Sequence, residues 1–382
     1  MSWSWRIARV AGIEIKVHFT FLLIVILGAM QFSQYGISGM LFGIVMILAL
    51  FACVTLHELG HSVVALKFGV PVREIILLPI GGVAMLRRIP RTPVKELAIA
   101  VAGPLVNVVI AIAIWLGLRV NVAMGRFNMD ELVTAARSGP SAMLLLMWLL
   151  RANVALVLFN LIPAFPLDGG RIFRALLAIR MGHARATRVA AGVGQMLAVL
   201  LGMYGLMSGG VLMVFVAAFI FFAAAAEQNE SRQRAVLAGQ TVGDAYNRNA
   251  IVLSPNDRLS TVVRYILTGY QPDFAVTSAH ELIGVVTRQD VIDALQRRVG
   301  DVPVSTMMQQ HPLHLDASTS LDDALRKMSE NNTRIAAVYD NEHFLGLISA
   351  EDIAEAFAVL QFMTPEHPGN APGVAEPREV AA

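Results

Sequence analysis

One cysteine, Cys53, stands in the whole 382-residue chain. That excludes an intramolecular disulfide and the stapled scaffold of a small secreted domain. Charge is scarce as well. Asp, Glu, Lys and Arg make up 15% of the residues against 56% hydrophobic, whereas about a quarter of a soluble globular protein is charged. The chain is therefore too apolar for an ordinary soluble enzyme. A net charge of +2 offers no basic face to nucleic acid, because the Lys and Arg residues cluster in connections beside apolar runs. No cleavable small-residue site follows the first apolar stretch, so Val17 to Phe32 is expected to remain as an anchor.

The apolar excess lies between residues 17 and 226; beyond Glu227 the composition is that of a soluble domain. A spanning helix needs about 20 mostly apolar residues. Six segments approach or meet this, around 17–34, 40–66, 95–118, 140–162, 189–207 and 210–226. Basic residues set their orientation. Arg6, Arg9 and Lys16 precede the first segment; Lys67, Arg73, Arg87, Arg88, Arg91 and Lys95 fill the second connection; Arg171, Arg174, Arg180, Arg185 and Arg188 fill the fourth. The opposite connections hold only Arg119, Arg126 and Arg137. Six crossings with this bias predict a multi-pass protein of the cell membrane with both termini and the soluble half in the cytoplasm. Arg151 is expected to snorkel to the outer interface.

Within the second segment stands His57-Glu58-Leu59-Gly60-His61. Imidazoles four residues apart project from one helix face and can chelate one zinc ion, while the Glu between them can act as a base toward water. At about 1.5 Å per residue, His57 lies about 15 Å below Lys67, near mid-depth in a core of about 30 Å. Two imidazoles and a water leave zinc one protein ligand short. Asn160-Leu161-Ile162-Pro163-Ala164-Phe165-Pro166-Leu167-Asp168-Gly169-Gly170 can supply it. The prolines interrupt a helix and the glycines allow a tight backbone that presents Asp168 inward. Without His57 and His61, Asp168 would read as a cap on the helix that follows, Gly169 to Ile179; beside them it reads as the third ligand. Cys53 and His18 are read as packing residues.

These two motifs resemble the site-2 protease family of intramembrane zinc metalloproteases, over residues 13 to 225. The resemblance implies His57, His61 and Asp168 as zinc ligands, Glu58 as the base and one Zn2+ per chain. Gly103-Pro104-Leu105-Val106-Asn107 also resembles a family motif. It gives Asn107 a hydrogen bond to substrate or to the developing oxyanion, although an Asn in a span also serves to join helices. Residues Val72 to Ile89 read as a hairpin, with Glu74-Ile75-Ile76-Leu77-Leu78, a Pro79-Ile80-Gly81-Gly82 turn and Val83-Ala84-Met85-Leu86. Its free edge could hold an unwound substrate by strand addition.

The soluble half repeats itself. A shift of 62 residues lays Leu282-Ile283-Gly284-Val285-Val286-Thr287-Arg288-Gln289-Asp290 over Phe344-Leu345-Gly346-Leu347-Ile348-Ser349-Ala350-Glu351-Asp352, which marks a duplicated unit. Each copy reads as strand, helix (Leu259 to Leu267; Leu321 to Met328), two strands and helix (Asp290 to Arg298; Asp352 to Leu360). The pair resembles tandem CBS domains. The resemblance implies that Thr287 with Asp290, and Ser349 with Asp352, contact the ribose of ATP or another adenine nucleotide. The same spacing is a helix capping box. Neither copy has a Gly-rich phosphate loop, so nucleotide hydrolysis is not expected.

The expected organisation is a mostly α-helical polytopic membrane domain (1–230) of about six transmembrane helices with a short cytoplasmic-side β-hairpin. A soluble α/β tandem CBS module (238–361, divided near 300) follows, and then a disordered tail (362–382). The expected function is regulated intramembrane proteolysis of a transmembrane protein, an anti-sigma factor or membrane-tethered transcription factor by resemblance. The expected partners are the bilayer, an adenine nucleotide and a second copy through the CBS module, with no nucleic acid. A CBS-gated transporter or channel would instead place polar groups along a path across the bilayer, and a non-cleaving scaffold would not need Glu58.

Overall fold

A computed structural model of the chain describes residues 3–79, 81–86, 92–124, 139–248, 250–269, 271–279 and 281–363. Ile80, Arg87, Arg88, Arg91, Arg126, Arg137 and residues 364–382 of the expected tail lie outside them, while Phe362 and Met363, its first two residues, end a helix. Two compact units, Met1–Asn229 and Glu230–Ala382, meet within one helix.

Among the described residues five helices are long and apolar enough to cross a membrane. They are α2 (Gly36–Lys67), α3 (Pro93–Ala123), α4 (Ala142–Asn160), α6 (His183–Met207) and α7 (Val211–Ala238). The amphipathic α5 (Asp168–Met181) lies between α4 and α6. The first expected span differs. Its helix α1, Phe21–Gln31, has 11 residues, about 16 Å at 1.5 Å per residue, well short of about 30 Å of hydrocarbon. Val17 belongs instead to a strand. β1 (Ser4–Val10) and β2 (Ile13–His18) form an N-terminal hairpin that the apolar run concealed. The expected hairpin, β3 (Val72–Leu78) and β4 (Gly81–Leu86), is present and joins it, β2 pairing in parallel with β3 to give one sheet in the order β1-β2-β3-β4. Alternation turns Ile13, Ile15, Ile75 and Leu77 to one side, where they pack with Phe21, Phe51, Ala65 and Ile99 of the helices.

Close helix approach comes from small residues. A Cβ on Gly43 of α2 would stand 2.0 Å from the Gly28 carbonyl oxygen of α1, and one on Gly60 would stand 2.8 Å from the Ala102 carbonyl oxygen of α3.

Arg174 was expected in a basic connection, but it lies in the interior at 1% exposure. Its Nη2 is 2.5 Å from Glu96 Oε1, its Nη1 pairs with Glu227, and its guanidinium lies 4.9 Å from the Phe165 ring centre. A buried charge survives only when paired and hydrogen-bonded. This cluster ties α3, α5 and α7 together next to the segment that carries Asp168.

In the second unit each copy has a three-stranded sheet, β5 (Val252–Leu253), β6 (Phe274–Ser278) and β7 (Glu281–Val286), then β8 (Leu313–Asp316), β9 (Ile335–Asp340) and β10 (His343–Ser349). The first two strands of each are parallel and the last two antiparallel. The helices are α8 (Val242–Ala245), α9 (Leu259–Leu267), α10 (Arg288–Gln296), α11 (Leu321–Glu330) and α12 (Ala350–Met363). The repeat extends to turns and bridges. The hairpin turns place Ala279 and Asn341 at φ 50 and 45, and matching bridges join Asn247 to Leu347 and Val285 to Gln309. Ala275 and Val285 share a core with Ile335, Ala337 and Leu347, so the two copies bury one another.

Candidate metal centre

His57 and His61 lie one turn apart on the unbroken α2, both 6% exposed, with ring centres 4.7 Å apart. Asp168 reaches them from the start of α5. After α4 ends at Asn160 the chain runs irregularly through Pro163 and Pro166 and restarts as a helix at Asp168. Gly169 and Gly170 permit this path, since a Cβ on either would stand 2.3 Å from the Ile162 carbonyl oxygen or 2.7 Å from the Ala164 carbonyl carbon. His57 Nε2, His61 Nε2 and Asp168 Oδ2 are each 3.1 Å from the other two.

The tautomers follow from backbone carbonyls, which only accept. Leu149 O accepts from Asn153 Nδ2 at 2.8 Å, so Asn153 turns its Oδ1 to Asn107, which donates to it at 2.8 Å. That leaves Asn107 Oδ1 facing His57 Nδ1 at 2.5 Å, and this nitrogen carries the proton. Ile99 O, 2.6 Å from His61 Nδ1, fixes the second ring in the same way. In neutral rings both Nε2 atoms are then bare lone pairs, converging with a carboxylate oxygen on one point. Three acceptors without a donor call for a cation. Zinc with bonds of about 2.0–2.1 Å has tetrahedral edges of about 3.3 Å, which the triangle approaches, and two His with one Asp leave a fourth position open. His57, His61 and Asp168 are the one group among the described residues with spacing suited to a metal ion.

Two neighbours shape the space around the triangle. A Cβ on Gly103 of α3 would stand 2.1 Å from His61 Nε2 and 2.7 Å from His57 Nε2. A Cβ on Gly82 of β4 would stand 2.6 Å from Glu58 Cγ. Among the described residues β4 pairs only with β3, so its other edge is unpaired, and the strand passes Glu58 at Gly82.

Asn107, expected to face substrate or the oxyanion, meets two side chains of the protein. It is fully buried, its carbonyl oxygen is taken up by His57, and its amide donates to Asn153. From there it holds the His57 ring in place. Asn153 escaped sequence reading although a second amide in an apolar span is itself a signal. It also donates to Cys53 Sγ at 3.5 Å, the packing role expected of that thiol. Asn107→Leu should weaken zinc binding by about 10–100-fold. Asn107→Asp keeps an acceptor for Nδ1 and should retain more of it, as competition with a fluorescent chelator would measure.

In the second unit both Thr/Ser-x-x-Asp elements form capping bonds. The Thr287 and Ser349 amides donate to Asp290 Oδ2 at 2.9 Å and Asp352 Oδ2 at 2.7 Å. Gln309 Nε2 also donates to both oxygens of Asp290, at 3.0 and 2.9 Å. A cleft of about 960 Å³ is lined by Thr287, Arg288, Gln309, His311, His314 and Arg334 among others; of the four residues expected to meet a ribose only Thr287 is on its lining, and Asp290, Ser349 and Asp352 are not. Asp273, unmarked by any motif, also lines it. Burial pushes its carboxyl above the usual range, the Arg288 amide opposes this, and the charges of Glu351, Asp352 and Asp290 add to the rise.

The model of peptidase family M50 matches residues 45–205, and that of the CBS domain matches 242–297 and 299–359. The zinc metalloprotease MJ0392 of Methanocaldococcus jannaschii is 32% identical over 94% of this chain and 98% of its own length. Rip3 of Mycobacterium tuberculosis is 28% identical over 94% of each chain. A solved site-2 protease from Methanocaldococcus jannaschii is 39% identical over 59% of this chain and 95% of that one, with a TM-score of 0.42.

Proposed function

The chain belongs to the M50 family of membrane zinc metalloproteases, the site-2 proteases, and carries a CBS pair, and from that premise we propose that it cleaves a peptide bond within or beside a transmembrane segment of a membrane-bound regulatory protein. The observation that carries this reading is the convergence of three acceptor atoms beside Glu58, with β4, a strand with one unpaired edge, passing Glu58 at Gly82. His57, His61 and Asp168 are the proposed ligands. Zinc held there would supply Lewis acidity toward the scissile carbonyl and toward water.

The remaining steps fall to the chain itself. Helical backbone resists attack because its carbonyls are bonded, so the target segment must unwind. The edge of β4 can take the extended segment as an added strand, through main-chain bonds that leave its side chains largely unread. Glu58 accepts a proton from the attacking water as the new C–O bond forms, and returns it to the amine nitrogen as the C–N bond breaks. Asn153, through Asn107, keeps His57 turned so that its Nε2 faces Asp168. The expected result for the purified protein in detergent is about one zinc per chain, and cleavage of a candidate membrane substrate that stops on chelation and returns with added zinc. Cleavage that persists after the metal is stripped would refute the reading.

We further propose that an adenine nucleotide binds the CBS cleft and modulates cleavage. Arg288, Arg334, His311 and His314 offer donors for phosphates, and Asp273 and Glu351 on the same lining offer acceptors for a ribose. Asp290 and Asp352 lie off that lining and hold Thr287 and Ser349 in place. The intact chain should bind ATP, and Asp290→Ala or Asp352→Ala should weaken that binding. A titration flat to millimolar ATP would leave the module a site for protein contacts. With the basic end of α2 at Lys67 on the cytoplasmic side, the alternation of the five long helices puts the CBS pair in the cytoplasm. The pairing of β2 with β3, which follows Lys67, keeps the N-terminal strands on that side.

A further inference from the structure

Strand β1 has a face that no described residue covers. Its register sets Trp5 opposite Val17, Ala8 opposite Ile15 and Val10 opposite Ile13, and directly paired residues point to the same side of a sheet. On β2 that side meets the helices, where Ile13, Ile15 and Val17 pack with Phe21 and Phe51. β1 is the outermost strand, so its share of the face runs past them. Trp3, Trp5 and Val10 are 66%, 68% and 44% exposed.

The other side of the hairpin is ionic. Arg6 pairs with Glu14 at 3.3 Å, Lys16 with Glu14 at 3.1 Å, and Lys16 also with Glu74. One hairpin thus has an aromatic side turned toward the helices' surroundings and a charged side turned away. Continuity identifies the surroundings. The Trp3 ring centre lies 5.4 Å from that of Phe19, and Phe19 leads into α1, whose Leu22, Leu23, Ile26 and Leu27 are exposed in turn. Such an exposed row on a membrane-embedded helix is a lipid contact, and the β1 face extends it.

We propose that β1 is a paddle that lies on the bilayer, with Trp3, Trp5 and Val10 in the boundary between headgroups and acyl chains and Arg6, Glu14 and Lys16 toward water. Indole rings favour this boundary because one edge is polar and the body is not. The paddle would set the depth of β2 and, through the β2–β3 pairing, of β4 beside Glu58.

The chain has four tryptophans, so the Trp115→Phe/Trp148→Phe protein keeps Trp3 and Trp5 as its only indoles, and the Trp3→Phe/Trp5→Phe protein gives the same signal by difference. Either is reconstituted in vesicles of phosphatidylcholine and phosphatidylglycerol, with or without lipid brominated near the carbonyl end of the chain. The expected result is blue-shifted Trp3 and Trp5 emission that bromolipid quenches strongly and aqueous iodide weakly. Quenching by iodide and not by bromolipid would place the strand in water and overturn the proposal. Protection from both quenchers would overturn it as well, by showing that protein covers the face, with a second copy as the candidate.

Discussion

Glu58→Gln should leave a protein that folds, holds one zinc per chain and has lost cleavage by a factor of about 10²–10⁴, the usual contribution of a general base. The substitution is nearly isosteric, and Glu58 is not among the three atoms of the triangle, so metal affinity has no reason to fall. What goes is the ability to take a proton from water and return it to the leaving amine. The loss should therefore appear in kcat, with little change in KM, because the β4 edge that would hold the substrate is unaltered. Single-turnover cleavage in detergent and zinc content per chain measure both quantities. A variant that cuts as fast as the parent would assign the proton transfer elsewhere. One that loses zinc would show Glu58 to belong to the ligand set.

How much of this site could be read in the sequence depends on how far apart its parts lie. His57, Glu58 and His61 sit on one helix, where the spacing fixes the geometry, and Asp168 is marked by prolines and glycines that no uninterrupted helix would keep. The positioning residues carry no such mark. Asn153 reaches His57 only through Asn107, a relation between three helices to which no local pattern corresponds. The N-terminal sheet is hidden in the sequence for a related reason. Ile13, Ile15 and Val17 alternate as a strand should, but Val17 also opens an apolar run that reads as a span, and pairing with Ile75 and Leu77 takes place 60 residues downstream. Arg174 shows the limit of reading charge by count. Its sign fitted a cytoplasmic connection, while its place was decided by Glu96 and Glu227. The CBS pair was legible because the copies repeat without a gap, and self-similarity needs no knowledge of contacts.

Gly103→Ala should remove the metal rather than the proton transfer. In a helix interior Ala is more favourable than Gly by about 1 kcal/mol, so on propensity alone α3 would be firmer. The added Cβ, however, would stand 2.1 Å from His61 Nε2, 2.5 Å from its Cε1 and 2.7 Å from His57 Nε2, distances at which something must move. Neither ring can yield cheaply. His61 Nδ1 is bonded to Ile99 O and His57 Nδ1 to Asn107, so turning a ring away breaks a buried hydrogen bond, while withdrawing α3 pulls Gly60 from Ala102. Zinc content should fall to background and cleavage with it. A ligand bound only by the folded state stabilises it, so stripping zinc should lower the Tm of the parent protein and leave that of Gly103→Ala unchanged. Gly117→Ala, on the same helix with nothing within 4 Å of its Cβ, is the control and should keep both zinc and activity. If Gly103→Ala also keeps its zinc and cuts at the parent rate, α3 does not press on the imidazoles. The three acceptors would then have to be held by α2 and α5 alone.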